Sequence, residues 1–297
     1  MEKLTSILVV LDGSSRDVSL LVKAARLAAA FGARVELFSC DWMQAEALKR
    51  VGDAEAAQAL RAASLREQCA YLTRRAQNVG MRNVAVAVDA ACETPLYEAI
   101  VRKAFSSRPD LVMKRMTEPS RTAHGALAPN DLQLVRTCPA PLLLCRDNPW
   151  PVWPRFGASV DLSDADLAPL AALTIRTARF LRNGCGGELE LLFGEPARST
   201  VPGRGDGDPG AFQRDCDIIV LGALTRRTSA TRMAGALTRR LMESACSDVV
   251  LVKPSSALAP LKNRNVQVLS IPTRCIGSEQ MGAEEGAGCR ARTEGAT

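Results

Sequence analysis

The stretch from Asp217 to Pro254 constrains the fold more than any other part of the sequence. Its first apolar run, Ile218 to Leu221, stops at Gly222, as buried strands of parallel sheets commonly do. A segment with helical spacing of apolar residues follows Gly235, and a second apolar run covers Val249 to Val252. This order of elements, a strand, a glycine-edged loop, a helix and a second strand, predicts one half of a doubly wound α/β sheet. Ligands of such sheets bind at the carboxyl ends of the strands, where glycine admits phosphate and a helix N-terminus donates hydrogen bonds.

The spacing of glycines in this stretch resembles the C-terminal signature of the universal stress protein family. Nucleotide-binding members read Gly, two residues, Gly, nine residues, Gly, and then a small hydroxylated or amide residue. The residues at this spacing here are Gly222, Thr225, Gly235 and Ala236. Thr225 replaces a glycine, and Ala236 lacks the side-chain oxygen that would bind phosphate. The resemblance therefore implies descent from a phosphate loop and leaves retained binding open.

Length and charge set the broad class. A chain of 297 residues allows two domains of ordinary size. The net charge of +6 comes from scattered arginines, which are densest around the loop, at Arg226, Arg227, Arg232, Arg239 and Arg240. These arginines form either a rim that attracts phosphate or a solvated helix face, and the second interpretation is favoured. Basic residues without interleaved aromatic residues argue against a nucleic-acid partner.

The N-terminus and the cysteines indicate the compartment. The first apolar run, Ile7 to Leu11, is too short for a signal sequence or a membrane span, so we expect a cytoplasmic protein without membrane insertion. The chain has ten cysteines but no Cys-x-x-Cys pair, and one histidine, His124. We therefore expect no metal site and buried, reduced thiols, at positions that include Cys40, Cys69, Cys145 and Cys246.

The first 147 residues alternate strands with helices. Five strands are predicted, at Ile7–Leu11, Arg34–Ser39, Val84–Val88, Asp110–Met113 and Leu142–Cys145. Helices are predicted after Ser14, across residues 44–79 as one long or broken segment, after Thr94-Pro95, and from Asn130. The pattern predicts an α/β domain, residues 1–147, with a Rossmann-like parallel sheet and helices on both faces.

A proline-rich linker, residues 148–154, precedes a second copy of the pattern. Phe156–Val160 and Asp161 repeat the first strand and Asp12 at an offset of 149 residues, whereas Asp217 repeats Asp110 at an offset of 107. Residues 155–254 therefore form a shortened second domain without counterparts of the long helical region, the third strand and the helix after it. Residues 255–297 are poor in apolar residues and are predicted to be mostly disordered.

The first domain carries a second resemblance. Glu93–Ile100, Asp110–Lys114 and Asp131–Pro139 are similar to the first half of tandem-domain universal stress proteins. In that group the first domain lacks the nucleotide glycines, and here Arg115 stands where the second domain has Gly222. A bulky side chain at this point keeps the backbone away from phosphates. The first domain is therefore predicted to be structural.

The resemblance implies a nucleotide site in the second domain, with ATP and Mg as the expected ligand. Its residues are Asp161, Gly222, Thr225, Gly235, Ala236 and Leu237. Asp161, after the first strand of the second copy, either contacts adenine or ribose or caps the next helix. Asp12 has the same two interpretations, with capping favoured. No Gly-x-Ser-x-Gly elbow or Walker lysine occurs, so we expect no enzymatic activity.

Two functions remain open at this point, and a third, a slow ATP hydrolase, is disfavoured because no general base is apparent. The chain is either a non-catalytic stress-response protein that binds a small ligand in its second domain, or an interaction module in which both sites are degenerate. The missing crossover helix also predicts an exposed apolar strip of four residues, Ala158, Val160, Ile219 and Leu221. Such a strip favours self-association or a protein partner at the second domain.

Overall fold

The computed structural model describes residues 1–79, 81, 83–117, 127–160, 167–193, 216–223, 247–254 and 274–276. Asp161, Thr225, Gly235, Ala236 and Leu237 lie outside these residues, as does the helix predicted after Gly235.

The first half, residues 1–147, has the predicted α/β architecture. Its strands are β1 (Ser6–Leu11), β2 (Arg34–Cys40), β3 (Val86–Ala91), β4 (Leu111–Arg115) and β5 (Leu142–Cys145). Its helices are α1 (Asp17–Phe31), α2 (Trp42–Leu48), α3 (Ala54–Asn78), α4 (Leu96–Ser107) and α5 (Pro129–Thr137). The strands are parallel in the order β3-β2-β1-β4-β5. The order reverses between β1 and β4, which creates a crevice at their carboxyl ends.

The predicted helical region 44–79 is broken into two helices. Asp53 supplies the break, because its side chain accepts hydrogen bonds from the backbone N–H groups of Glu55 and Ala56 and caps α3. The third strand begins at Val86 rather than at the predicted Val84. The sequence pattern therefore located these elements correctly but placed their boundaries a few residues off.

In its described residues the second half, residues 155–254, repeats the strand order of the first without its third strand. Its elements are β6 (Arg155–Val160), α6 (Ala168–Cys185), β7 (Glu188–Phe193), β8 (Ile218–Gly222) and β9 (Asp248–Val252). The parallel order is β9-β8-β6-β7. One hydrogen bond is also formed by equivalent residues in both halves. Asp110 accepts it from the Ser6 N–H in the first half, and Asp217 accepts it from the Arg155 N–H in the second.

The two halves form one continuous sheet. Strands β5 and β9 pair antiparallel, with Leu143 opposite Val250, which lies 107 residues further along the chain. Helices α1 and α6 meet where Phe31 stacks on Phe180, 149 residues later, with ring centroids 4.8 Å apart. Both contacts join a residue to its own repeat counterpart. An approximate two-fold axis therefore relates the two halves.

The predicted exposed strip is wrong. Ala158, Val160, Ile219 and Leu221 are all buried. The residues of the strip also lie on two different faces of the sheet. Ala158 pairs with Val220 and lies on the same face of the sheet as Val220. On the opposite face of the sheet, Gly157 is the repeat counterpart of Leu8. A Cβ atom added at Gly157 would lie 2.7 Å from the side chain of Leu192. Leu192 therefore packs over the sheet where the first half uses α4.

The far edge of the first half is covered by a short strand from the predicted tail. Strand β10 (Arg274–Ile276) pairs antiparallel with β3, opposite Val86 to Val88. Residues 255–297 are predicted to be mostly disordered, and for the tail as a whole this stays a prediction. Residues 255–273 and 277–297 lie outside the described part of the chain.

Cys40, Cys69 and Cys145 carry thiols that form no disulfide. Cys40 and Cys145 are buried and Cys69 is partly exposed, while Cys246 lies outside the described residues. Burial raises the pKa of Cys40 to about 12 and raises that of Cys145 well above its usual value. These thiols are therefore protonated and weakly nucleophilic at neutral pH. Among the described helices, none is long and apolar enough to cross a membrane.

Candidate functional site

In the first half, an ion pair bridges the crevice between β1 and β4. Arg115 ends β4, and its guanidinium donates a hydrogen bond to the carboxylate of Asp12, which directly follows β1. Burial raises the pKa of Asp12, but hydrogen bonds from Ser14 and Arg115 outweigh it and lower the pKa to about 2. The carboxylate is therefore ionised throughout the physiological range. Arg115 thus occupies this strand end with its own side chain.

Asp12 does not cap α1, which corrects the favoured interpretation. Its carboxylate accepts a hydrogen bond 2.9 Å long from the Ser14 N–H, which closes an Asx turn. The buried Asp17, in the first turn of α1, takes the role of anchor: it accepts hydrogen bonds from the N–H groups of Asp12 and Gly13. The phenol of Tyr71 in α3 also donates to Asp17, over 2.8 Å. The loop after β1 is therefore held by the protein's own groups.

A second internal network holds Thr117, at the start of the loop after β4. The ammonium group of Lys114 lies 2.8 Å from the carboxylate of Asp131 in α5, and both side chains are buried. Asp131 also accepts a hydrogen bond from the Thr117 N–H, and Lys114 donates to the Thr117 hydroxyl. At the described start of this loop, the polar groups of Lys114, Thr117 and Asp131 therefore satisfy one another.

In the second half, Gly222 occupies the strand end equivalent to Arg115. It ends β8, and its backbone N–H and C=O run beside Val252 of β9. A Cβ at Gly222 would lie 2.5 Å from Leu170 in α6. The glycine is therefore required by the close approach of α6, whatever else it does. Its packing role alone accounts for its identity.

Of the predicted site residues, Gly222 is the one that the structure describes. β6, which precedes Asp161, and β8 are neighbours in the sheet, paired through Ala158 and Val220. The carboxyl ends of β6 and β8 therefore lie side by side, and the predicted site there stays a prediction. The sequence did not identify Asp17, Tyr71, Lys114 or Asp131 as residues of the first crevice.

A separate cavity of about 620 Å³ lies between α2, α3 and the turn before α4. Three cationic side chains line it, Lys49, Arg61 and Arg102. Lys49 is paired with Glu46, and Arg102 with Glu93. Because two of the three cations are neutralised, the cavity does not form a strong anion site. Gly222, the predicted site residue that the structure describes, does not line it.

The comparison with known families agrees with this geometry. The model of the universal stress protein family matches residues 3–146. Residues 3–146 are a universal stress protein domain. The match covers the first half, which carries the five-stranded sheet and the closed crevice.

A curated relative and two solved structures add to this comparison. Universal stress protein E of Escherichia coli (strain K12) is 23% identical over 161 residues, 54% of this chain and 51% of that protein. The match thus spans about half the length of this curated relative. A Pseudomonas aeruginosa protein of unknown function has a TM-score of 0.65 at 20% identity, over 88% of this chain and 96% of its own. A universal stress protein from Archaeoglobus fulgidus has a TM-score of 0.55 at 10% identity, over 84% of this chain and 98% of its own. These structures share the fold.

Proposed function

We propose that this chain is a non-catalytic stress-response protein with two universal stress protein domains, of which only the second binds a small ligand. ATP with Mg is the ligand that the loop of residues 222–237 fits best by its spacing. The first domain then serves as a structural partner, joined to the second through one sheet.

The contrast between Arg115 and Gly222 carries this proposal. The two residues end equivalent strands, but Arg115 fills its crevice with an ion pair to Asp12, whereas Gly222 adds no side chain to its own. Phosphate binding at a strand end requires backbone N–H groups to approach the anion closely. The first crevice, closed by two internal networks, does not permit this approach.

The rival function is an interaction module that binds no nucleotide. Thr225 and Ala236 favour it, because Thr225 replaces a glycine of the family signature and Ala236 lacks the side-chain oxygen that would bind phosphate. The packing of Gly222 against Leu170 also favours it, because this contact explains the glycine without a ligand. Partner signalling is common to both functions.

Calorimetry with Mg-ATP tests the proposal on the full chain. We expect weak binding of one ATP per chain. Gly235→Asp should abolish the binding, because it places a negative charge beside the phosphates. Thr225→Gly combined with Ala236→Ser should raise the affinity about tenfold, the gain expected from one hydrogen bond to a charged group.

Arg115→Ala is the matched control in the first domain. It should leave both affinity and stoichiometry unchanged, because Asp17 and Asp131 still hold the two loops. Binding that survives Gly235→Asp but changes with Arg115→Ala would place the site in the first domain. Absence of heat for both the wild type and the double variant would establish the rival function.

A further inference from the structure

The second half leaves part of β7 uncovered. β2 and β7 pair with equivalent residues of β1 and β6, so Leu37 corresponds to Leu191 and Ser39 to Phe193. Leu37 is 0% exposed and Ser39 is 4% exposed, whereas Leu191 is 37% and Phe193 is 60% exposed. In the first half α3 covers this face, and the second half has no counterpart of α3 among its described residues. Two apolar side chains on one face of an edge strand are thus open to solvent.

The opposite face of β7 carries an uncompensated acid. Glu190 corresponds to Glu36, whose carboxylate lies 2.6 Å from the ammonium group of Lys103 in α4. Burial alone would lower the pKa of Lys103, but hydrogen bonds to Asp89 and Glu36 raise it. The described second half has no counterpart of α4, and Glu190 is exposed there without an ion pair. Glu190 therefore lacks the cation that its counterpart has.

The outer edge of β7 has no neighbouring strand among the described residues. In the order of the described strands β7 is last, next to β6 alone, whereas β2 is flanked by β3. In the first half the missing place is filled by β3, whose Val88 and Ala90 lie beside Leu37 and Ser39. An edge strand presents unpaired N–H and C=O groups to any segment that can pair with them.

We propose that β7 binds an extended segment of a partner protein in which apolar residues alternate with lysine or arginine. Side chains of a strand alternate between its two faces, so the apolar residues would cover Leu191 and Phe193 while a basic residue pairs with Glu190. The segment thereby replaces both β3 and the Lys103 ammonium. A second copy of the chain fits less well, because two β7 strands would bring Glu188 and Glu190 of both copies together. This inference goes beyond nucleotide binding and does not depend on it.

Fluorescence anisotropy on the full chain, without nucleotide, tests the proposal. The probe is a labelled peptide of about eight residues, the length of a strand, that alternates valine and lysine. A valine–glutamate peptide of equal length controls for charge, and a valine–lysine peptide N-methylated at alternate residues controls for backbone pairing. We expect saturable binding of the first peptide only.

Three variants locate the binding on β7. Phe193→Ser, which introduces the residue of the first half, should weaken binding about tenfold through lost apolar contact. Glu190→Lys should make the valine–glutamate peptide the better ligand. Leu60→Ser, which removes an exposed leucine from α3, should change nothing. All three positions are exposed, so the fold should persist, and circular dichroism checks this.

Several results would overturn the proposal. They are absence of saturable binding, equal binding of the N-methylated peptide, and affinities that Phe193→Ser and Glu190→Lys leave unchanged. Sedimentation equilibrium of the peptide-free protein gives a further check. A dimer that Phe193→Ser dissociates would identify a second copy of the chain as the occupant instead.

Discussion

Asp248→Asn should destabilise the protein by about 3–5 kcal/mol, the typical cost of removing one partner from a buried ion pair. The carboxylate of Asp248 lies 2.6 Å from the ammonium group of Lys23, and both side chains are 2% exposed. The substitution leaves the Lys23 charge buried without its counter-charge. The midpoint of chemical denaturation and the free energy of unfolding measure the loss.

The position of this pair explains why its effect should be large. Lys23 belongs to α1 of the first half and Asp248 begins β9 of the second. Asp248 also accepts hydrogen bonds from the Arg146 N–H and the Trp150 indole, and Lys23 donates to the Arg146 carbonyl. Burial raises the pKa of Asp248, and these partners oppose the rise. One carboxylate therefore holds α1, the linker and β9 together.

The pair occurs on one side of the approximate two-fold axis only. The repeat counterparts of Lys23 and Asp248 are Ala172 and Pro141, which cannot form an ion pair. The second side of the junction therefore does not compensate for the loss. The substitution should therefore lower the free energy of unfolding by weakening the junction between the halves, rather than by weakening one isolated strand.

Two controls test the physical reason. Lys23→Met combined with Asp248→Asn should recover a large part of the stability, because it removes the unpaired charge and keeps an acceptor for Arg146 and Trp150. Glu46→Gln, which breaks the solvent-exposed pair with Lys49, should have no measurable effect. If Asp248→Asn behaves like Glu46→Gln, the buried pair does not hold the junction.

The sequence predicts the strands well because each is a short apolar run between turn residues. It also predicts the shortened repeat, because the two offsets differ. It does not predict how the halves meet. The contact of Lys23 with Asp248 joins residues 225 apart, and no local pattern marks either as a partner of the other. The stacking of Phe31 on Phe180 is visible only once the two-fold axis is known.

The prediction of exposed surface was wrong for a specific physical reason. It assumed that a lost helix uncovers the middle of the sheet, but Gly157 allows Leu192 to fill that space. The uncovered residues are instead Leu191 and Phe193 on the edge strand. A one-residue difference in strand parity decides which face a side chain occupies, and sequence alone did not settle it for Ala158.

In the first crevice, too, the sequence predicts one residue and not its contacts. Arg115 is predictable from its alignment with Gly222, because strand ends can be counted. Its partner Asp12 lies 103 residues away, and the anchoring role of Asp17 depends on Tyr71, 54 residues distant. Spacing along the chain identifies which strand end carries Arg115 in place of a glycine, and tertiary structure identifies the side chains that contact it.

Asp131→Asn should also cost about 3–5 kcal/mol of stability, since it leaves Lys114 as a buried, unpaired charge. The carboxylate is 0% exposed and accepts hydrogen bonds from Lys114 and from the Thr117 N–H. Asparagine retains an acceptor for Thr117 but cannot neutralise the ammonium group. Chemical denaturation of the full chain measures the loss, and ATP titration of the folded variant should still detect no site in the first domain.

The second half provides the matched control for this network. Leu221, the counterpart of Lys114, is fully buried at the equivalent position of β8 and needs no counter-charge. Lys114→Leu combined with Asp131→Asn should therefore recover much of the lost stability, because the charge is gone and the leucine packs as it does in β8. Lys114→Leu alone should lower the free energy of unfolding, since it leaves the Asp131 carboxylate buried without its counter-charge. Recovery in the double variant shows that the charge pair closes the loop after β4. Equal losses in the single and double variants would show that the loop depends on the shape of these side chains instead.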